Sequence, residues 1–301
     1  MSTTIMARSL SRSVWERLVE EPCDARVTLV FERACNLITA DGYVIGLVLP
    51  VVGNGPLNIV VDGNPNVFSV LEPGMSVWLD KGRLRVADLQ IDLKRAVVWD
   101  ARPNWKELRT LQNKIKDRLP LLQAFALRHA TEGSFLPLIS QQQAGDEPYL
   151  AGVKSLGSTS AIVFAAAREA MGFLQAGWEQ DEALLQTGAA QLAGLGGGLT
   201  PAGDDFLTGA MVWGWLAHPN PGFLGRLLFE AAAPRTTVLS AALLGAAAQG
   251  ECSAAWHALL ASLSQGKDAG VDRAVRDVLS HGATSGADAL AGFLWAGLCC
   301  T

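Results

Sequence analysis

Gly203-Asp204-Asp205-Phe206-Leu207-Thr208-Gly209 and Gly286-Ala287-Asp288-Ala289-Leu290-Ala291-Gly292 are two readings of one pattern, Gly-x-Asp-x-Leu-x-Gly. Each has a further glycine five residues on, Gly214 and Gly297. Loop chemistry precedes each: Gly194-Leu195-Gly196-Gly197-Gly198-Leu199-Thr200-Pro201 before the first, His281-Gly282-Ala283-Thr284-Ser285 before the second. A glycine-rich loop that feeds a helix presents backbone N–H groups at the positive end of the helix dipole, where phosphate or carboxylate binds. Two such starts, each with an acid in its first turn, predict a pocket for small anions.

The pattern places both segments in a helical second part of the chain. Short apolar and β-branched runs dominate before it: Val27 to Phe31, Tyr43 to Val52, Leu57 to Val61, Met75 to Leu79 and Ala96 to Trp99. Asp41-Gly42, Gly53-Asn54-Gly55, Asp62-Gly63-Asn64-Pro65, Glu72-Pro73-Gly74 and Lys81-Gly82 separate them as turns. Evenly spaced short strands predict an antiparallel barrel or sandwich. The texture changes at Arg102-Pro103-Asn104. Leu108, Leu111, Ile115 and Leu119 then share a helical stripe behind Asn104 as cap. Helical segments follow to the end, punctuated by Gly and Pro, with Gln141 to Pro148 read as a polar surface loop. The expected fold class is α+β, with a β-rich domain over 1–102 and a larger all-helical domain over 103–301.

Composition narrows the function. Of 301 residues, half are hydrophobic and 18% charged, which makes the chain globular. A net charge of −5 argues against a nucleic-acid partner, and no Lys/Arg cluster addresses an anionic membrane. Met1 to Ser11 lacks the apolar core of a secretory signal. The most apolar helical runs, Phe206 to Ala217 and Ala289 to Cys300, are too short to span a bilayer. Cys23, Cys35, Cys252, Cys299 and Cys300 follow neither metal-ligand nor disulfide spacing. The expected location is the cytoplasm.

Within the first loop, Thr200 before Pro201 reads as an N-cap with proline at N1, leaving the N–H groups of Ala202, Gly203 and Asp204 for a ligand. Gly196, Gly197 and Gly198 permit close approach and positive φ. Neither a P-loop nor a Rossmann fingerprint is present. Asp204 and Asp205 are candidates for dipole complementation, and Asp205 with Asp288 for orienting a polar group or holding Mg²⁺. Ser285 and Asp288 also fit a capping box, and His281 follows a helix end. Pro234-Arg235-Thr236-Thr237-Val238-Leu239-Ser240 supplies a cation and several hydroxyls at another helix start. Lys154, Ser155, Ser158 and Thr159 form a weaker anion-binding candidate. The packing alternative treats every glycine as a close helix contact and every first-turn acid as a dipole partner.

Residues 194–205 and 281–288 are similar to the two signature segments of the AllH-type family, and weaker likeness runs through Phe31 to Leu37 and Thr236 to Gly250. One member group is a subunit of oxamate carbamoyltransferase, used in anaerobic allantoin breakdown. The resemblance implies carbamoyl transfer between carbamoyl phosphate and oxamate, Mg²⁺ as cofactor, and companion subunits, one of them resembling acyl-CoA synthetases. Joined to the residues, it implies small anions at Gly196, Gly197, Gly198, Thr200, Ala202, Gly203, Thr236, Thr284 and Ser285, with Arg235 neutralising charge. Asp205, Asp288 and His281 are then the catalytic candidates, and Asp204, Asp205 and Asp288 the candidate Mg²⁺ ligands. Such a transfer asks the protein to position the acceptor nitrogen and to stabilise the oxyanion and the departing phosphate. Two other readings compete: a non-catalytic scaffold subunit, and a stand-alone metal-dependent hydrolase of an amide or phosphoester.

Overall fold

The computed structural model describes residues 3–64, 66–130, 132–141, 158–179 and 181–300. The chain divides into two compact units, 1–103 with 251–254, and 104–250 with 255–301.

The first unit is a closed barrel. Its strands are β1 (Thr3–Ser11), β2 (Cys23–Val30), β3 (Ala34–Thr39), β4 (Val44–Val48), β5 (Asn58–Val61), β6 (Ser76–Asp80), β7 (Arg83–Val86) and β8 (Leu89–Asp92). The order is β5-β4-β3-β2-β6-β7-β8-β1, and β1 returns to pair β5, which leaves no free edge among these eight. A ninth strand, β9 (Val97–Trp99), adds to β1. The barrel expected from the turn spacing is thus present, but its strands are not all antiparallel. β1 runs parallel to β8 and β9, and β4 parallel to β5. The reason is β1. It enters before any of the predicted strands, and its first half pairs β8 while its second half pairs β9. Along β3 every second residue is buried, so one face fills the barrel. Helix α1 (Arg12–Glu20), capped by the Ser11 hydroxyl, adds Val14 and Leu18 to the barrel core beside Leu10, Leu37, Ile59 and Phe68.

The described elements of the second unit are helical: α2 (Trp105–Thr110), α3 (Gln112–Lys116), α4 (Leu119–Arg128), α5 (Leu136–Gln141), α6 (Ser158–Gly177), α7 (Glu182–Leu192), α8 (Ala202–Ala217), α9 (Pro221–Ala232), a 3-10 turn (Ala233–Arg235), α10 (Val238–Ala248), α11 (Ala254–Gln265), α12 (Asp268–Leu279) and α13 (Ser285–Cys299). Asn104 caps α2 as expected, accepting from the Glu107 N–H. Gln142 to Pro148, Lys154 and Ser155 lie outside the described residues, as do the side chains of Ser158 and Thr159. Among the described residues, no helix is long and apolar enough to cross a membrane.

The two Gly-x-Asp-x-Leu-x-Gly segments open α8 and α13, and these helices cross at their glycines. A Cβ on Gly209 would fall well inside contact distance of the Ala289 carbonyl oxygen, and one on Gly292 would do the same to Phe206. Ala289 and Phe206 hold the same place in the two copies of the pattern, so the crossing is reciprocal. The leading glycines repeat the relation one helix back. Gly203 lies against the Leu192 carbonyl at the end of α7, and Gly286 against the Val278 carbonyl at the end of α12. The core of this unit therefore contains two helix–loop–helix copies, α7–α8 and α12–α13, joined through a close backbone crossing. Trp213 with Phe293 and Phe206 with Trp295 fill the flanks.

Candidate functional site

The loop before α8 is shaped by alternating backbone signs. Gly196 and Gly198 have φ of +111° and +92°, while Gly197 does not have a positive φ. Such alternation turns successive N–H groups toward one side, the geometry of an anion nest. No hydrogen bond within the described residues engages the N–H groups of Gly196, Gly197, Gly198, Leu199, Thr200 or Ala202. Gly196 packs on the start of α8, where an added Cβ would meet the Ala202 nitrogen at 2.9 Å.

Two details differ from the sequence reading. Pro201, not Thr200, is the N-cap of α8, and it contributes no side-chain cap bond. The Thr200 hydroxyl instead lies 2.8 Å from that of Ser285, the first residue of α13. The N–H of Gly203 donates to Leu195 O at 2.9 Å and that of Asp204 to Pro201 O at 3.0 Å, so neither is free for a ligand. The unengaged donors belong to the loop and Ala202. Both changes follow from the loop folding back over the helix start.

The segment 234–240 braces this loop. An added Cβ on Gly194 would meet the Arg235 carbonyl at 2.7 Å. The Thr237 hydroxyl donates to Leu199 O at 2.6 Å and also caps α10, accepting from the Ser240 N–H. Thr236 donates its hydroxyl to Asp204 Oδ2, while Asp204 Oδ1 accepts the Gly194 N–H at 3.1 Å. Both Asp204 oxygens are thereby spent on holding loop and helix together, and the residue is 2% exposed. Asp204 thus acts as a brace between the loop, α8 and the segment 234–240. Arg235 is exposed at the edge of the same loop.

Asp205 and Asp288 are different. Asp288 is fully buried; its Oδ1 accepts the Phe135 N–H at 2.7 Å, and its Oδ2 has no hydrogen-bond partner among the described residues. The capping-box reading of Ser285 and Asp288 therefore fails: Thr284 is the N-cap of α13, without a side-chain cap bond, and Asp288 reaches across to the residue before α5. Asp205 Oδ2 is likewise sealed from solvent and unpartnered. The hydroxyls of Ser285 and Thr200 favour its charged form, yet burial, reinforced by Asp288 and Asp204, pushes its pKa up to about 8. Burial raises Asp288 to about 6, against the pull of the Phe135 N–H and the Thr284 hydroxyl. Thr200, Asp205 and Ser285 thus meet where the starts of α8 and α13 converge, and Asp288, coupled electrostatically to Asp205, belongs to the same cluster.

The remaining candidates divide. Thr284 touches the Asp288 carboxyl. Gly286 donates its N–H to His281 O at 3.0 Å, and His281 Nδ1 lies 2.9 Å from the Asp277 carbonyl at the end of α12, a helix-end contact. Phe135 is the partner that the sequence reading missed. Nothing local marks it, because its role is set only when α5 packs against α13.

Both raised carboxyls bind their protons more tightly folded than unfolded. That contribution to stability is fully present below the ordinary carboxylate pKa near 4 and is lost as pH rises through about 6 for Asp288 and about 8 for Asp205. The melting temperature should therefore fall between about pH 4 and about pH 8, by on the order of 1 kcal/mol of stability per pH unit while one of them is ionising only in the unfolded chain. Asp205→Asn should flatten the upper half of this dependence. A melting temperature equally pH-dependent in wild type and variant would contradict the assignment.

Comparison with protein families gives two matches. Residues 6–98 match the AllH family N-terminal domain, and residues 192–297 match the oxamate carbamoyltransferase subunit AllH. Together they span most of the chain, the first covering the barrel strands and the second both helix starts and their loops. The chain belongs to the AllH family, whose description makes its members carbamoyltransferase subunits. Comparison with curated proteins and with solved structures finds no match.

Proposed function

We propose that this chain, as a member of the AllH family, holds the small anionic substrates of a carbamoyl transfer at the converging starts of α8 and α13, within an enzyme completed by companion subunits. The observation that carries the reading is the pair of sealed carboxyl oxygens, Asp205 Oδ2 and Asp288 Oδ2, at the same position of two repeated helices. An unsatisfied buried carboxyl oxygen is costly, and a ligand, an ion or a bound water can supply the missing partner. Beside it stands a loop whose N–H groups no described residue engages, with Arg235 at its edge.

The chemistry fits. In transfer from carbamoyl phosphate to oxamate, the oxamate nitrogen bonds to the carbamoyl carbon and the carbon–oxygen bond to phosphate breaks. Phosphate leaves with that electron pair, and the nitrogen gives up a proton. A carboxylate whose proton affinity is raised toward neutrality is a better base for that proton than an ordinary one. Asp288, raised to about 6, answers this description, whereas Asp205, raised to about 8, is mostly protonated at neutral pH. The loop donors would neutralise the departing phosphate. No covalent nucleophile is needed. Companion subunits, an acyl-CoA-synthetase-like one among them, belong to this proposal, as does a cytoplasmic location.

Mg²⁺ is part of the proposal. Among the described residues no group of three or more His, Cys, Asp or Glu side chains gathers to hold a metal, so Asp205 and Asp288 would supply Mg²⁺ with at most two oxygen ligands, with substrate and waters supplying the rest. When bound, it would supply charge neutralisation at the transferring group. The scaffold reading draws support from the glycines, since the helix crossing alone accounts for Gly203, Gly209, Gly286 and Gly292. It does not account for the carboxylates.

Thermal shift with phosphate, carbamoyl phosphate or oxamate tests the proposal. Ligand at 100 times its Kd should add about 2.7 kcal/mol. A Cβ at Gly197 meets nothing within 4 Å, so Gly197→Val should leave the unliganded melting temperature within about 0.5 kcal/mol of wild type. It should abolish the phosphate shift, because the side chain stands where the anion must approach. A phosphate shift retained in Gly197→Val would move the site elsewhere.

A further inference from the structure

α8 and α13 begin at the carboxyls described above and end at a second cavity, of about 400 Å³, a size that suits a small molecule. Ala217 closes α8 and Cys300 follows α13, and both line it. At 1.5 Å per residue these positions lie roughly 18 Å along the helices from Asp205 and Asp288, too far for one small ligand to occupy both places. The α8–α9 link is held firmly here. Arg109 donates to the carbonyls of Trp215 and His218, and the His218 ring packs edge-on against Trp178 with centroids 6.1 Å apart. His218 Nδ1 accepts the Asn220 N–H at 3.1 Å, which leaves the ring proton on Nε2 as a donor. Two opposite charges line the same cavity, Lys116 from α3 and Glu179 just after α6. Neither makes an ion pair or hydrogen bond with a described residue, and they do not pair with each other. Burial pushes the Cys300 thiol up, and Cys299 and the Glu179 charge add to it, which places Glu179 near the end of α13.

We propose that this cavity binds a small zwitterion with an apolar body, of the class of a free apolar amino acid. The ligand carboxylate meets the Lys116 ammonium, with the Gln112 amide and the His218 Nε2–H as further donors lining the cavity. The ligand ammonium meets Glu179 beside the end of α13, where the helix dipole also favours a cation. The apolar body lies against Trp178 and Pro219. A simple anion would leave Glu179 unmatched and repelling, and a simple cation would do the same with Lys116. A ligand that carries both charges neutralises both walls. The inference stands apart from the carbamoyl-transfer reading, because its residues, its place and the charge of its ligand all differ from those of the helix starts.

Calorimetry on the full chain with L-leucine and two near-isosteric analogues tests this. L-leucinamide keeps the shape and the ammonium but lacks the carboxylate. The α-hydroxy analogue of leucine keeps the carboxylate and replaces the ammonium by a hydroxyl. L-leucine should bind as a single molecule per chain, and each analogue about 5- to 10-fold more weakly, between the worth of an exposed ion pair and that of a hydrogen bond to a buried charge. Lys116 and Glu179 are exposed, so Lys116→Gln and Glu179→Gln should leave the fold intact. Lys116→Gln should erase the preference for L-leucine over leucinamide and keep that over the hydroxy acid, and Glu179→Gln should do the converse. Saturating phosphate should not displace L-leucine. Absence of L-leucine binding, equal binding of all three ligands, preferences that survive both substitutions, or displacement by phosphate would each overturn the inference, whatever the anions do at the helix starts.

Discussion

Asp288→Asn is expected to lower carbamoyl transfer by the assembled enzyme about 10²- to 10⁴-fold, the usual cost of removing a positioned proton acceptor. The fold should survive. The asparagine carbonyl can keep the Phe135 N–H bond now made by Asp288 Oδ1 at 2.7 Å. The second oxygen, which has no hydrogen-bond partner among the described residues, becomes an NH₂ that cannot accept. The substitution also removes a fully buried carboxyl whose charged form burial disfavours, so stability above pH 7 should hold or rise. A loss of rate with intact stability separates a working carboxylate from a structural one. An enzyme that keeps its full rate with Asp288→Asn would favour the scaffold reading.

Gly292→Ala should have the opposite profile. Its Cβ would be driven into the Phe206 carbonyl oxygen and lies 3.0 Å from the Ala210 nitrogen, both of them backbone groups that cannot swing aside. The helices must part, and every contact along α8 and α13 opens with them, including the Phe206–Trp295 and Trp213–Phe293 pairs. Overpacking ordinarily costs 1–3 kcal/mol; backbone against backbone at a central crossing puts this case at about 3–5 kcal/mol, roughly 10 °C in melting temperature for a unit of this size. Gly209→Ala should cost the same within error, because the two contacts are reciprocal. Denaturant or thermal melts of the two variants check both points. Melting temperatures within 2 °C of wild type, a margin of about one kcal/mol, would mean that the crossing is looser than described.

The repeat that organises the helical unit was legible because glycine spacing and first-turn acids survive as a pattern in the sequence. What those acids touch was not. Asp204, Asp205 and Asp288 look equivalent as letters, yet Asp204 is consumed by Thr236 and Gly194 while Asp205 and Asp288 retain open oxygens. The difference is made by distant partners. Phe135 reaches Asp288 only through the packing of α5, and Thr200 turns away from its own helix because Ser285 offers a hydroxyl. In the first unit, the turn-separated runs were sufficient to expect a barrel or sandwich, of which the barrel is present. β1 and α1 were missed because Thr3–Ser11 mixes polar residues with its apolar ones and shows no uninterrupted run, β3 because Asn36 and Thr39 interrupt its apolar residues, and β7 and β8 because they are short and alternate with charged or polar residues. Those omissions concealed the parallel pairings, since β1 provides two of the three.

The most direct measurement is a crystal structure of the assembled enzyme with oxamate and phosphate bound. The expected result is phosphate on the N–H groups of Gly196 to Thr200 and oxamate at the converging starts of α8 and α13, with Asp205 and Asp288 facing the ligands. Oxamate and phosphate seated wholly on a companion subunit, with Asp205 and Asp288 facing only protein, would contradict the account.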